Sequence, residues 1–145
     1  MTTEIQKTAS QIAVMSRILE LQRQMLAMPQ AEVPSQFKQG AGIAAKTILL
    51  RKDTMAIGGL HKFDNMNIIH RGDITVTTDG APVRYTVTDF PIIVVAPPCT
   101  KRAVFAHEDT YWTSLHVTDL TTEDEVRDEF IEKNEAEAIK RIGGE

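Results

Sequence analysis

Apolar positions along this chain change their pattern twice, which divides it into three parts. In residues 1–28 the spacing is helical: Val14, Ile18, Leu21, Met25 and Met28 recur at intervals of four, three, four and three. Ile12, Met15, Leu19 and Leu26 form a neighbouring stripe, while Arg17, Glu20, Gln22, Arg23 and Gln24 fall largely outside the apolar face. The pattern predicts an amphipathic helix. Thr3 and Gln6 have the spacing of a capping box, and Pro29 stops the helix. The repeat is heptad-like over two heptads, so the helix either packs on its own domain or pairs with a second chain; oligomerisation through it is the expectation. Residues 29–42, which include Pro29 and Pro34, read as a linker.

From Ile43 to Val117 short runs rich in Val, Ile and Thr alternate with turn residues, as in strands. Strands are expected near 43–50, 53–60, 65–70, 73–78, 83–88, 91–96, 101–106 and 111–117. The turns between them fall at Arg51-Lys52, His70-Arg71-Gly72, Asp79-Gly80, Pro97-Pro98 and His107-Glu108-Asp109. Asp79-Gly80 is the dipeptide best suited to a tight hairpin, because glycine accepts a positive φ. Short strands at roughly ten-residue intervals, with no helices between them, predict a mainly β domain over 43–120: an antiparallel barrel or jelly roll. From residue 121 to 145 the helical pattern returns. Thr122 and Glu125 form a capping box, Val126, Phe130, Ala138 and Ile142 make one apolar line, and Gly143-Gly144 ends the segment.

Composition narrows the class. The chain has 145 residues, enough for one sizeable core, with 42% hydrophobic and 25% charged residues. No apolar run approaches the roughly 18 residues needed to cross a bilayer, so no membrane association is expected. No secretory leader is recognisable, which predicts a cytoplasmic location. The single Cys99 excludes an intramolecular disulfide and a cysteine-built zinc site. From Asp119 to Glu145 there are ten acidic and four basic residues, whereas the rest of the chain has ten acidic and twelve basic. The acidity therefore belongs to the C-terminal segment, as a solvated helix face. The middle is only mildly basic, too little for counterion-driven nucleic-acid binding, and no nucleic-acid partner is expected.

Chemistry concentrates in two stretches: Ala56–Gly72, AIGGLHKFDNMNIIHRG, and Ala96–Arg102, APPCTKR. They are expected to face one another across the barrel and to form its pocket. Around HKFDNMNIIHRGDITV, PPCTKR and AHEDTYWTSLH the sequence resembles the cupin superfamily, and within it small single-domain cupin-like proteins of tailed bacteriophages. The likeness covers roughly residues 43–120 and implies a double-stranded β-helix barrel. A phage-encoded protein would act in the host cytoplasm or in the virion. In metal-binding cupins the first motif supplies His, His and Glu before a glycine, and the second a further His after Pro-x-Gly. His61 matches the first His, but the second falls on Phe63. The Glu falls on Asn67 counted from His61, or on Asn65 counted back from Gly72. Pro97 matches in the second motif, Cys99 replaces the glycine, and Arg102 stands at the last His.

The departure implies loss of the usual metal. A divalent transition ion needs several N, S or O donors converging at about 2.0–2.2 Å for N and O. Phe63 donates nothing, and a guanidinium keeps its positive charge where the ion would lie. No cofactor is expected; a rearranged metal site would use His61 with His116 or His107. His116 shares a strand face with Trp112 and Ser114, whereas His70 and His107 fall on turns. The ligand-binding residues implied are His61, Lys62, Asn65, Asn67, Lys101, Arg102 and His116. Arg and Lys would hold an anionic group, and the asparagines would bond a base or sugar hydroxyls. The expectation is a metal-free binding module for a small anionic molecule, a nucleotide or sugar derivative, which it would sequester. Alternatives are a metal-dependent or isomerase-type enzyme with His61 as base, or a virion-associated structural jelly roll. A homo-oligomer is expected, joined through the N-terminal helix and the sheet faces.

Overall fold

A computed structural model describes residues 6–145. Helix α1 (Ala9–Leu26) is followed by strands β1 (Ser35–Gly40), β2 (Ile43–Leu50), β3 (Met55–Ile57), β4 (Asn65–Arg71) and β5 (Asp73–Thr77). Then come β6 (Val83–Thr86), β7 (Ile92–Ala96), β8 (Ala103–Ala106) and β9 (Thr110–Val117), and last helices α2 (Glu123–Phe130) and α3 (Glu135–Ile142). The strands form two antiparallel sheets, a five-stranded one in the order β1-β2-β9-β4-β7 and a four-stranded one in the order β3-β8-β5-β6. The mainly β, jelly-roll reading of the sequence therefore holds. No described helix is long and apolar enough to cross a membrane.

Alternation along the strands builds the core between the sheets. Leu50, Ile69, Ile74, Val76, Ala106 and Trp112 are buried there, with Ile48, Ile92 and Val104 packed against them. The chain turns between β4 and β5 at Gly72, whose φ is +123°. A Cβ there would lie 2.6 Å from the Thr110 Cα, so this corner admits only glycine. A second core lies outside the barrel. Met15 of α1 and Ala138, Ile139 and Ile142 of α3 are buried together with Leu60 and Cys99.

Several boundaries differ from the sequence reading. Thr3 lies outside the described residues; α1 instead begins after Thr8, whose hydroxyl accepts from Gln11 N in a full capping box. Met15 and Ile18 are buried within this chain, so the middle of α1 packs on its own domain. Residues 35–40, assigned to the linker, form β1, joined to β2 by Ala41-Gly42, both at positive φ. Asp79-Gly80 makes no tight hairpin: β5 and β6 are joined by Thr78–Pro82, and Gly80 keeps an ordinary φ. The strands expected at 53–60 and 101–106 shrink to β3 and β8, 55–57 and 103–106, because His61 after β3 pairs with Thr100 before β8 and with Ile131 of the C-terminal segment. That segment is two helices. Ile131 is extended and bridges to His61, and Asn134 caps α3 by accepting from Glu137 N.

Candidate functional site

The two motif stretches are hydrogen-bonded neighbours, rather than walls facing across the barrel. His61 N donates to the Thr100 carbonyl at 2.9 Å, Cys99 N to the His61 carbonyl at 2.9 Å, and Gly58 N to the Arg102 carbonyl at 3.0 Å. Cys99, standing at the motif's glycine, has a φ of +65°, the left-handed conformation that glycine adopts without cost. The tight path of this crossing sets His61 and Arg102 at one end of the barrel.

Register fills the interior beneath them. Asn67 pairs with Ser114 and Val94, and Ile69 with Trp112, so the inward row of β4 meets that of β9. Asn67 is fully buried. Its carbonyl oxygen accepts from Trp112 Nε1 and Ser114 Oγ, each at 3.0 Å, and its amide nitrogen donates to Asn65 Oδ1 at 2.6 Å. Arg102 donates to the same Asn65 oxygen at 3.2 Å, and its guanidinium lies 5.5 Å from the Trp112 ring centroid. Burial lowers the Arg102 pKa to about 10, against a smaller opposing effect of Tyr85, so the group remains cationic at neutral pH.

Above this network three rings stack. His61 lies 5.4 Å from His116 at 23°, and His116 lies 4.6 Å from Phe130 of α2 at 18°. Phe63 meets Phe130 edge-on at 5.7 Å. Burial, then the charges of Arg102, His116 and Lys101, holds the His61 pKa down at about 3. Burial and Arg102 lower His116 as well. Both rings are therefore neutral at pH 7. His61 Nδ1 is buried and has no hydrogen-bond partner among the described residues.

The structure thus brings His61, Asn65, Asn67, Arg102 and His116 together. Lys101 is placed elsewhere: its Nζ is fully buried and donates to Glu135 at 2.6 and 3.1 Å and to the Gly58 carbonyl at 2.8 Å, tying α3 to the barrel. Lys62 is half-buried, and its backbone N–H bonds the Phe130 carbonyl. His107 bonds Thr75 on the four-stranded sheet and His70 bonds Thr113, so neither joins His61.

A cavity of about 330 Å³ opens between His61, His116 and α2. Phe37 and Ile48 line it from the barrel, Val126 and Phe130 from the helix, and Lys46, Glu123 and Arg127 stand at it. Sequence reasoning missed these three charged residues. The signal for Lys46 was present, since it lies between Ala44 and Ile48 on the inward row of β2. Gly59 lets α2 seat here: a Cβ would come within 2.5 Å of Ile131 Cγ2.

These donors do not fit a cupin metal. Asn67 spends both ends of its amide on protein partners, the Arg102 guanidinium bonds Asn65 where a ligand imidazole would stand, and stacked imidazoles direct their in-plane lone pairs alongside one another rather than at one point. Among the described residues no group of three His, Cys, Asp or Glu could hold an ion.

No protein-family model matches this chain, and no curated protein matches it. Solved structures do. Ectoine synthase from P. lautus superposes with a TM-score of 0.53 at 16% identity, over 70% of this chain and 75% of that one. A cupin superfamily protein from Desulfitobacterium hafniense DCB-2 gives 0.50 at 13% identity, over 63% and 83%. At such identities the likeness is one of fold. The architecture is cupin-like: an antiparallel barrel with one helix before it and two after it.

Proposed function

We propose that this cupin-fold protein is a binding module without a resident metal, which holds a small molecule of the nucleotide or sugar-derivative class by its anionic group. The observation that carries the reading is Arg102. It is a cation in the barrel interior whose neighbours are an amide oxygen and an indole face, and among the described residues no carboxylate is paired with it. Arg102 is half-buried, so a cation there without a counter-charge still bears a desolvation cost, and a phosphate or carboxylate would supply that counter-charge in a two-pronged geometry. The Asn65 oxygen is taken by Asn67 and Arg102, and its amide nitrogen, which donates to the Phe63 carbonyl at 3.4 Å, keeps one further N–H for the ligand.

His61 supports binding over catalysis. A ring whose pKa is about 3 is too weak a base to store a proton at pH 7, and suits hydrogen bonding instead. In the setting that the phage-like motifs suggest, the module would sequester a host metabolite. Self-association belongs to the same proposal, through the outer face of the five-stranded sheet.

A thermal-shift screen against nucleotides, cyclic nucleotides and sugar phosphates tests the ligand reading. A ligand at about 100 times its Kd should raise the melting temperature of the parent by roughly 5 °C or more, and that of Arg102→Met by under about 1 °C. An equal rise in both proteins, or none with any of the three classes, overturns it.

A further inference from the structure

Helix α2 roofs the cavity but is fastened mainly at its ends. Of its eight residues only Val126 is buried. At the C-terminal end, Lys62 N donates to the Phe130 carbonyl and Glu132 N to the Leu60 carbonyl, each at 2.9 Å. At the N-terminal end the fastening is electrostatic. The Glu123 carboxylate accepts from Lys46 Nζ at 2.9 Å, across to the barrel wall, and lies 3.7 Å from the guanidinium of Arg127 one turn on, which donates to Asp124 at 3.0 Å.

This arrangement holds one carboxylate between two cations at the edge of a cavity of about 330 Å³, which lies at the small end of ligand sites. Between helix and barrel Phe37, Ile48, Val126 and Phe130 give apolar walls, and His61, Ser114 and His116 also line the space. Glu123 satisfies Lys46 and shares Arg127 with Asp124, but it is attached to the helix and puts no apolar body into the space. An untethered molecule with the same head group could do both. The Glu123 side chain is about a third exposed, so it can turn to water when displaced.

We propose that the cavity under α2 binds a small amphipathic carboxylate. Its aryl or short alkyl body packs against Phe37, Ile48, Val126 and Phe130. Its head group replaces Glu123 between Lys46 and Arg127. Glu123 is then a built-in competitor: tethered beside the cations, it acts at an effective concentration in the millimolar range, and a ligand must outbid it. Arg102 does not line this cavity, so the site stands independently of the interior reading.

Titration calorimetry of the full chain with octanoate, 3-phenylpropanoate and the uncharged 3-phenylpropanamide tests this. The carboxylates should bind Glu123→Gln about tenfold more tightly than the parent, because the competitor is gone. They should bind Lys46→Gln about tenfold more weakly, and the amide at least about tenfold more weakly than its acid. Val126→Phe fills the cavity from the helix without altering charge, and should abolish binding. It keeps the test decisive if loss of Glu123 unseats α2. Equal affinity of Glu123→Gln and parent, equal affinity of acid and amide, or full binding by Val126→Phe overturns the proposal. Loss of octanoate binding in Arg102→Met with no change in Lys46→Gln would assign the head group to the interior, overturning this site while leaving the Arg102 reading intact.

Discussion

At the scale of single residues, two positions decide the character of the barrel interior. Arg102 stands where the resembling motif has a metal-binding imidazole, and it points inward onto Trp112 and Asn65. His61, the one motif ligand retained, is kept neutral by burial and by the positive charges of Arg102 and Lys101 around it. Its folded pKa of about 3 lies below the ordinary value of 6.5, so between these values the unfolded chain binds a proton that the folded chain does not. The stability tied to neutral His61 is complete above about pH 6.5 and is lost as the pH falls towards 3; His116 acts in the same direction. Urea midpoints should therefore fall between pH 7.5 and 4.5. His61→Gln should remove about 2 kcal/mol of that fall. A fall of the same size in the variant would mean that His61 is not the titrating group.

At the scale of elements, the C-terminal helices are attached by polar contacts as much as by their apolar faces. Lys101, expected to bind ligand, is the clearest example. Its ammonium is sealed between Glu135 of α3 and the Gly58 carbonyl. Lys101→Met should cost about 3 kcal/mol or more, since it leaves a largely buried carboxylate without its cation. Adding Glu135→Leu should recover most of that loss, as a packed apolar pair often equals a buried ion pair. Chemical denaturation of both single variants and the double variant closes the cycle, and additive losses would show that the pair is not coupled. The break between α2 and α3 has a local signal, since Asn134 with Glu137 three residues later has cap spacing, although Phe130, Ala138 and Ile142 read as one apolar line. What ends α2 is the backbone pairing of Ile131 with His61, which is distant in sequence.

At the scale of the molecule, the two faces of the five-stranded sheet are unlike. One faces the core. The other carries Ile43, Met66, Ile93, Val95 and Val117, which are 43, 44, 61, 64 and 87% exposed. Register places Met66 beside both Leu115 and Val95, and Ile43 beside Val117, so these residues share one surface. Monomers seldom leave such patches uncovered, and β7, an edge strand, adds unpaired backbone groups. The parent should run as a dimer or larger closed assembly by light scattering at about 10 µM, and Val95→Lys with Val117→Lys should run as a monomer. A monomeric parent removes the self-association claim.

The linear order of residues determined what depends on neighbours near in sequence. Strand runs, the Pro29 stop, the acidic C-terminal helical segment and the shared strand face of His116, Trp112 and Ser114 follow from periodicity and local sterics. The fold class was legible for the same reason, because alternation and turn spacing are local. Tertiary structure decided everything that depends on which distant groups meet. It took Lys101 out of the pocket by giving it Glu135, and it brought in Lys46, Glu123 and Phe130 by laying α2 across the barrel mouth. A side chain's charge is written in the chain, but whether that charge meets a counter-charge or awaits a ligand depends on partners many residues away.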